Sequence, residues 1–240
     1  MHDFSLQHLR CVRCGSKLDS DIFYKESEII EGILECPRCK LLFPILEKVL
    51  ILWDDFSTYL SSRIVLGGQL YRLARHEKMK KFLKHSLSRT TKNYEDRTAL
   101  EMKWSEIYQQ SRNSKFYSIV KNNLKKIPES DLVLEYGCSI GLVTKFLAEH
   151  NKTVFGVDRS YHAISIAKKS FKNNLEYIVA DSLSDIFGKT KFDLVLALNV
   201  LEIIEPIKLL KHVSKQITNG FFVISDPYDF DRGKNSTKTN

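Results

Sequence analysis

The chain has 240 residues, a net charge of +8 and a hydrophobic fraction of 43%, as expected for a protein with a substantial core. Its longest apolar run, residues 41–53, contains Pro44, Glu47 and Lys48 and is too short and too charged to cross a bilayer. The first ten residues lack the apolar centre of a signal peptide. These features predict a soluble, cytoplasmic protein with no membrane association.

Two cysteine pairs lie near the N-terminus, Cys11-x-x-Cys14 and Cys36-x-x-Cys39. Each C-x₂-C turn presents two thiolates, and two such turns complete a tetrahedral Cys₄ zinc site. Two disulfides are the alternative, but nothing in the sequence indicates an oxidising compartment. We predict a zinc-binding module at residues 1–56, in which the zinc is structural because four thiolates leave no coordination position open.

The order of features in this module is specific. A leucine precedes the first cysteine pair, a hairpin follows it, and Phe43-Pro44-Ile45 and an apolar strand follow the second pair. In this order, residues 6–53 resemble the short zinc-ribbon family that activates methyltransferases. Members of that family are subunits of enzymes that methylate tRNA, rRNA or a translation release factor, or are fused to methyltransferases. The resemblance implies RNA or a translation factor as the methyl acceptor.

The positive charge is concentrated in a helical connector, residues 57–127. This segment contains 16 lysines and arginines against five acidic residues, whereas residues 128–240 contain 14 of each. Such a surface can follow a phosphate backbone, so we consider residues 72–97 a candidate RNA-binding surface, with a solvated helix face as the alternative. Leucine spacing predicts one helix or two over residues 57–90, with a break or a start at Gly67-Gly68. The central basic residues are Arg72, Arg75, Lys78, Lys80, Lys81, Lys84, Arg89 and Lys92.

Strands and helices alternate in residues 128–240, which predicts a doubly wound, mostly parallel sheet. The predicted helices span about 141–150, 160–172 and 205–217. The predicted strands span 132–136, 153–157, 175–179, 192–198 and 220–225.

The first of these strands ends in Glu135 and runs into a turn of small residues that contains Gly137 and Gly141. Such a turn forms a nucleotide pocket at the carboxyl end of a strand, because glycine lets the backbone and a ligand approach closely. The second strand ends in Asp158, and an acid at that place accepts hydrogen bonds from ribose hydroxyls. The sequence therefore predicts an adenosine-containing cofactor.

This part of the chain resembles the class I S-adenosylmethionine-dependent methyltransferases. Glu135, Gly137 and Gly141 match the first motif of that family, in which Ser139 here replaces the middle glycine with an expected modest effect. The resemblance implies a Rossmann-like core, a methyltransferase activity and S-adenosylmethionine as cofactor. An NAD site is the alternative, although such a site prefers the missing glycine. The residues expected to bind the cofactor are Glu135, Gly137, Ser139, Gly141, Asp158, Arg159, Asp181, Ser182 and Asn199.

No strong constellation for a catalytic base is present, so the catalytic residues stay unknown. The resemblance puts Asn199 and Glu202, at the tip of the fourth strand, nearest to the transferred methyl group. Tyr228, after the fifth strand, is a third candidate for lining the acceptor pocket. A helix before the first strand often closes over the cofactor in this family, which makes Trp104 and Tyr108 candidates for a lid.

Three interpretations of the function stay open. RNA or a translation factor is the favoured acceptor, and a small metabolite with an imidazole or amine is the alternative, because the Pro227-Tyr228 segment resembles the methyltransferase domain of ovothiol synthases. The third is a non-catalytic zinc-ribbon scaffold or a truncated relative, because only 15 residues follow the fifth strand and the last strands of the fold are apparently missing. That strand would then be a sheet edge, where a partner chain or a second copy could pair.

Overall fold

The computed structural model describes residues 1–91 and 95–226. Nine strands within these residues form one sheet. In chain order they are β1 (Asp19–Lys25), β2 (Ile29–Glu35), β3 (Leu42–Leu46), β4 (Val49–Ile51), β5 (Leu132–Tyr136), β6 (Thr153–Asp158), β7 (Leu175–Val179), β8 (Leu194–Leu198) and β9 (Phe221–Ser225).

The sheet changes from antiparallel to parallel at one place. Its strand order is β1-β2-β3-β4-β7-β6-β5-β8-β9. The pairs from β1 to β4 are antiparallel, whereas β4 pairs with β7 in parallel, as do all the remaining neighbours. The N-terminal strands thus extend the Rossmann-like parallel sheet of the second half of the chain.

Helices cover both faces of this sheet. A short 3₁₀ turn, Ser111–Asn113, separates the two helices that precede β5. The helices are α1 (Asp3–Leu6), α2 (Phe56–Ser61), α3 (Ile64–Leu73), α4 (Glu77–Ser88), α5 (Thr98–Gln110), α6 (Lys115–Leu124), α7 (Leu142–Leu147), α8 (Tyr161–Ala167) and α9 (Pro206–Ser214).

The first part of the connector differs from its sequence-based prediction. Residues 57–90 contain most of α2 and all of α3 and α4, and Gly67-Gly68 lies inside α3 instead of at a break or a helix start. A Cβ atom at Gly67 would lie 2.5 Å from Cδ2 of Leu87 in α4. Gly67 therefore allows α3 and α4 to pack closely, which is why a glycine is tolerated inside this helix.

Two apolar cores enclose the sheet. One core packs α2, α3, α4, α7 and α8 against one face. The other packs α9 and N-terminal residues such as Met1, Leu9 and Cys11 against the opposite face. The crossover from β7 to β8, residues 180–193, contains no helix, and these N-terminal residues pack over it. Residues 1–56, the predicted zinc-binding module, thus contribute to both cores, with Ile33 and Ile51 in the first and Cys11 and Cys36 in the second.

The junction between the N-terminal strands and the parallel sheet is fully buried. Leu50 pairs with Ile178 and Ile51 with Val179, and all four side chains are 0% exposed. Burying apolar area of this extent stabilises the joined sheet by several kcal/mol at about 25 cal/mol per Å².

Charged residues also meet beside this junction, and we call Glu28, Lys48, Lys168 and Glu176 the ion group. Nζ of Lys168 lies 2.8 Å from Glu28 and 2.6 Å from Glu176, and Nζ of Lys48 lies 3.1 Å from Glu28. Burial alone would raise the pKa of Glu28, but the attraction of Lys168 lowers it to about 2. Glu28 follows β1 and Glu176 lies on β7, so this group links the two parts of the sheet.

The other end of the sheet is open. β9 pairs with β8 on one side, and no strand lies on its other side within residues 1–91 and 95–226. Phe221 and Ile224 of β9 are 52% and 40% exposed. Pairing of a partner chain or a second copy at this edge stays a prediction.

Candidate active site

The four paired cysteines form a compact cluster, which we call the cysteine cluster. The Sγ atoms of Cys11, Cys14, Cys36 and Cys39 all lie within 4.8 Å of one another, and none forms a disulfide. Cys11 and Cys36 are buried, whereas the other two are half-buried. Four sulfur atoms at this spacing can surround one tetrahedral ion.

The two turns of the cysteine cluster have the same backbone geometry. Gly15 and Lys40, which follow the second cysteine of each pair, have φ values of 69° and 58°. The N–H of Gly15 donates to the carbonyl of Cys11 and that of Lys40 to the carbonyl of Cys36, at 2.9 and 2.8 Å. The N–H of Cys39 also donates to Sγ of Cys36 at 3.3 Å, as backbone donors do around bound thiolates. The cluster therefore fits a Cys₄ metal site.

A second candidate site is a cavity of about 720 Å³ at the carboxyl ends of β5, β6 and β8. Ligands of doubly wound sheets bind at this edge, where the strand order reverses. The strand order reverses at β5. From β5 the chain continues to β6 and β7 on one side, and it then crosses to β8 on the other side of β5. The cavity therefore lies where the topology predicts a ligand.

Two glycines shape the turn that follows β5. Gly137 has a φ of 67°, and a Cβ atom there would lie 2.4 Å from Cγ1 of Val200. Gly141 has a φ of 75° and begins α7, and a Cβ atom there would lie 2.3 Å from the hydroxyl of Tyr177. Both positions therefore require glycine because of backbone conformation and close packing.

Ser139 stands in the same turn at a position where glycine is common in the resembling family. Its φ is 48°, in the left-handed region that costs a side-chain-bearing residue about 1–2 kcal/mol. Its N–H donates to Oδ2 of Asp158 at 2.9 Å. The strained backbone conformation of Ser139 therefore accompanies a hydrogen bond from its N–H to Asp158, the acid at the end of β6.

Asp158 ends β6 inside the cavity. Oδ1 accepts the N–H of Ser160 at 2.8 Å, and Oδ2 accepts the N–H of Ser139. Burial raises the pKa of this carboxyl group, and the two backbone donors act against that rise. Each oxygen keeps a second lone pair, so the carboxylate can still accept hydrogen bonds from a ligand.

Glu135 is the penultimate residue of β5 and is 3% exposed. Thr144 of α7 donates its hydroxyl to Oε2 of Glu135 in a short hydrogen bond. Burial raises the pKa of Glu135 to about 8, and the nearby negative charge of Asp158 adds to the rise. Burial thus favours the protonated form of Glu135 over its carboxylate.

Helices α5 and α6, which we call the cap helices, form the outer wall of the cavity. Leu100, Glu101, Trp104 and Tyr108 of α5 recur at helical spacing and line the cavity, together with Phe116 and Tyr117 of α6. Burial raises the pKa of Tyr108, and the charges of Asp158 and Glu202 raise it further. The predicted lid residues Trp104 and Tyr108 thus line the cavity, and their closing over a cofactor stays a prediction. Phe116 and Tyr117 were not among the lid candidates.

Comparison with known proteins decides the family. A family model described as a methyltransferase domain matches residues 108–238, which is more than half of the chain. The chain belongs to the methyltransferase-domain family. It is an S-adenosylmethionine-dependent methyltransferase with a cysteine cluster in its N-terminal part. No curated protein matches it.

Solved methyltransferase structures resemble parts of this methyltransferase. A TehB-like enzyme from Corynebacterium glutamicum is 19% identical and covers 57% of this chain and 80% of its own, with a TM-score of 0.46. A putative methyltransferase from Methanococcus maripaludis is 15% identical, with coverages of 57% and 66% and a TM-score of 0.45. A complex of the Trm112 activator and a putative methyltransferase from Haloferax volcanii is 18% identical, with coverages of 51% and 57% and a TM-score of 0.46.

The cavity of this methyltransferase brings together seven of the nine residues expected to bind the cofactor. They are Glu135, Gly137, Ser139, Asp158, Arg159, Ser182 and Asn199.

The other two expected cofactor residues do not line the cavity. Gly141 packs against Tyr177, and Asp181 is exposed and accepts the N–H of Leu183. Among the acceptor candidates, Asn199 and Glu202 both line the cavity, whereas Tyr228 lies outside the described residues. Arg97 and Glu101 of the cavity wall were missed, because nothing in their local pattern distinguishes them from solvated helix residues.

Some of the basic residues of the predicted RNA-binding surface form ion pairs with carboxylates of the same chain. Arg75, Lys78 and Lys80 form ion pairs with Glu47, Asp21 and Glu77. Lys92 lies outside the described residues. The exposed basic residues of the predicted set for which the structure shows no ion pair are Arg72, Lys81, Lys84 and Arg89.

None of the described helices is long and apolar enough to serve as a transmembrane span.

Proposed function

We propose that the cavity at the carboxyl ends of β5, β6 and β8 is the cofactor and acceptor site of this methyltransferase. The observation that supports this most strongly is that seven sequence-predicted cofactor positions, from four separate loops, line one cavity. S-Adenosylmethionine, when bound, supplies an electrophilic methyl group on a sulfonium. Its positive charge suits a cavity wall that contains the carboxyl groups of Asp158 and Glu202.

Asp158 is the proposed ligand of the ribose hydroxyls. The N–H groups of Ser139 and Ser160 fix both carboxylate oxygens, so the carboxylate is oriented before a ligand arrives. Apolar residues such as Ile140 and Leu198 line the same cavity and can pack against the adenine ring.

Asn199 and Glu202 follow β8 and are the proposed acceptor-facing residues. They line the cavity together with Trp104, Tyr108 and Tyr117 of the cap helices. A wall of aromatic rings and carboxylates favours a compact neutral or cationic acceptor and opposes a phosphodiester. We therefore propose a small molecule with a nucleophilic nitrogen, such as an amine or imidazole, as the acceptor. These side chains would orient the acceptor and exclude water.

The test compares Asp158→Ala with Asp131→Ala, which removes an exposed carboxylate at the opposite end of the sheet. Calorimetric titration with S-adenosylmethionine should show micromolar binding to the wild type and to Asp131→Ala. Asp158→Ala should bind at least about 10-fold more weakly, because a charged acceptor of ligand hydroxyls is lost. Equal affinity of the two variants would overturn the proposed cofactor site. Methylation assays with small amines, imidazoles and RNA then distinguish the acceptor classes.

RNA is the second candidate acceptor, supported by the unpaired basic residues on α3 and α4. Arg72, Lys81 and Lys84 are exposed on these helices without a partner carboxylate in the described structure. Phosphate contacts by such residues release counterions, so RNA binding should weaken steeply with salt. The double variant Lys81→Glu/Lys84→Glu should reduce RNA binding at low salt. Absence of RNA binding by the wild type at low salt would exclude this candidate.

The cysteine cluster is the proposed site of a structural zinc ion. Its four thiolates would leave no open coordination position, so the metal would act on the fold and not on the reaction. Because these turns pack over the crossover between β7 and β8, the zinc would support the methyltransferase sheet itself.

A further inference from the structure

One buried arginine connects the first cap helix to the loop that carries Asp158. Arg63 is 2% exposed, lies between α2 and α3, and donates from Nε and Nη2 to Oε1 of Glu101 at 3.0 and 2.6 Å. Its guanidinium also lies over the ring of Tyr59, 4.2 Å from the centroid. A buried arginine with two donors on one carboxylate oxygen fixes that side chain more firmly than an exposed ion pair does.

Tyr59 extends this connection to the cofactor loop. Its hydroxyl donates to the carbonyl of Arg159 at 3.1 Å and accepts the N–H of Tyr161 at 3.3 Å. Both partners lie within three residues of Asp158, and Tyr59 is 1% exposed. The guanidinium of Arg63 thus binds Glu101 and also packs on Tyr59, and Tyr59 in turn bonds the loop that follows Asp158.

Glu101 has one oxygen left for a ligand. Oε1 accepts both bonds from Arg63, whereas Oε2 has no hydrogen bond within the described chain. Glu101 lines the cavity, and its negative charge contributes to the pKa rise of Asp158 after the larger effect of burial. Two carboxyl groups that interact electrostatically therefore line the same cavity, one at the end of β6 and one on α5.

We propose that Glu101 is a further cofactor-binding residue, which accepts a hydrogen bond from a ribose hydroxyl opposite Asp158, and that Arg63 is its positioning residue. The inference rests on the proposed cofactor site. In this arrangement α5 belongs to both parts of the site, because Glu101 would contact the cofactor while Trp104 and Tyr108 would contact the acceptor. The ion pair with Arg63 offsets the repulsion that two neighbouring carboxylates would otherwise have.

The decisive experiment is calorimetric titration of Glu101→Gln with S-adenosylhomocysteine and with its 2′,3′-dideoxy analogue. Glutamine can still accept the Arg63 donors, but an amide nitrogen replaces the free oxygen. We expect S-adenosylhomocysteine to bind roughly 10-fold more weakly than to the wild type, and the analogue to bind with unchanged affinity. Glu106→Gln is the matched control, because Glu106 is exposed on the same helix outside the cavity.

The remaining outcomes separate the inference from the proposed function. Equal weakening of both ligands, or no weakening, would overturn the role of Glu101. If Asp158→Ala also keeps full affinity, the cofactor site itself is wrong; if only Asp158→Ala is impaired, only the present inference fails. Arg63→Met should reproduce the ligand selectivity of Glu101→Gln. If Arg63→Met does not fold, Arg63→Lys, which keeps the charge but not the fork of donors, should show a smaller loss of the same selectivity.

Discussion

The junction between the N-terminal strands and the parallel sheet differs from the cap over the cavity in how each is held. At the junction, Leu50 and Ile178 are 0% exposed, and the ion group lies beside them. In the cap, Leu100 and Trp104 are 54% and 50% exposed. The junction is buried like a protein core, whereas the cap exposes large apolar side chains to solvent beside the cavity. The part that contains the cysteine cluster is therefore expected to stay in place while the cap helices open for ligands.

The largest effect should follow from removing one cysteine of the cluster. Cys36→Ala should lose the zinc and lower the melting temperature by roughly 10 °C or more, because metal binding at such a site is coupled to folding. Cys36 is 0% exposed and packs in the core of the second sheet face, so the loss should spread to the methyltransferase part. Metal analysis and thermal unfolding measure both effects.

Cys138→Ala is the matched control for that experiment. Cys138 is also buried, at 5% exposure, but lies in the turn after β5 and outside the cysteine cluster. It should keep its zinc and lose only the stability expected for a small cavity. A Cys36→Ala protein that lacks zinc and melts like the wild type would show that the junction is held by packing alone.

The next largest effect should come from Lys168→Met in the ion group. The substitution leaves Glu28 and Glu176 buried at 3% and 0% exposure without their shared cation. Breaking a buried ion pair in this way costs about 3–5 kcal/mol, which denaturant unfolding can measure. Lys172→Met is the control, since Lys172 forms a more exposed pair with Glu149 at 3.6 Å. A loss below about 1 kcal/mol in both variants would contradict the proposed link across the junction.

How much of these two regions could be predicted from the sequence depends on how far apart along the chain the interacting residues lie. β5 and β6 could be recognised because each strand, the acid at or near its end (Glu135 or Asp158) and the following turn are neighbours in the chain. The pairing of β4 with β7 could not, because the paired residues Leu50 and Ile178 lie 128 positions apart and neither apolar strand identifies its partner. Parallel pairing of distant strands depends on the assembled core and not on a local turn.

The cap was predicted only in part for a related reason. Trp104 and Tyr108 are four residues apart, a spacing that fits a core-facing stripe as well as a cavity wall. The structure decides between the two, because α5 packs on α8 and thereby extends over the carboxyl end of β6. Glu101 and Arg63 were missed since their ion pair joins residues 38 positions apart.

On the cavity side, Glu135→Gln should change how stability depends on pH. Since the pKa of Glu135 is raised from 4.5 to about 8 on folding, its protonated form stabilises the fold fully below about pH 4.5. That contribution is lost as pH rises through 8. Glutamine cannot ionise and still accepts the Thr144 hydroxyl, so the variant should be more stable than the wild type at pH 8 by on the order of 2–4 kcal/mol and similar to it at pH 4.5.

Denaturant unfolding without cofactor across this pH range measures the effect of Glu135→Gln. The exposed Glu149→Gln is the control and should leave the pH dependence unchanged. Stability curves of wild type and Glu135→Gln that run parallel from pH 4.5 to 8 would show that Glu135 is already ionised. The cavity would then resemble the solvated surface more than the dry junction.

The smallest effect should come from Ser139→Gly, which removes strain from the cavity loop. Relief of the left-handed φ of 48° should outweigh the extra flexibility of glycine in the unfolded chain, with a net gain of up to about 1 kcal/mol. Asn199→Gly, at a φ of 56°, should gain less because asparagine tolerates this conformation. Ser160→Gly should instead lose a few tenths of a kcal/mol, since Ser160 caps α8 by accepting the N–H of Ala163. If Ser139→Gly is destabilising, the serine side chain itself must stabilise the loop, and strain would not distinguish the cavity from the junction.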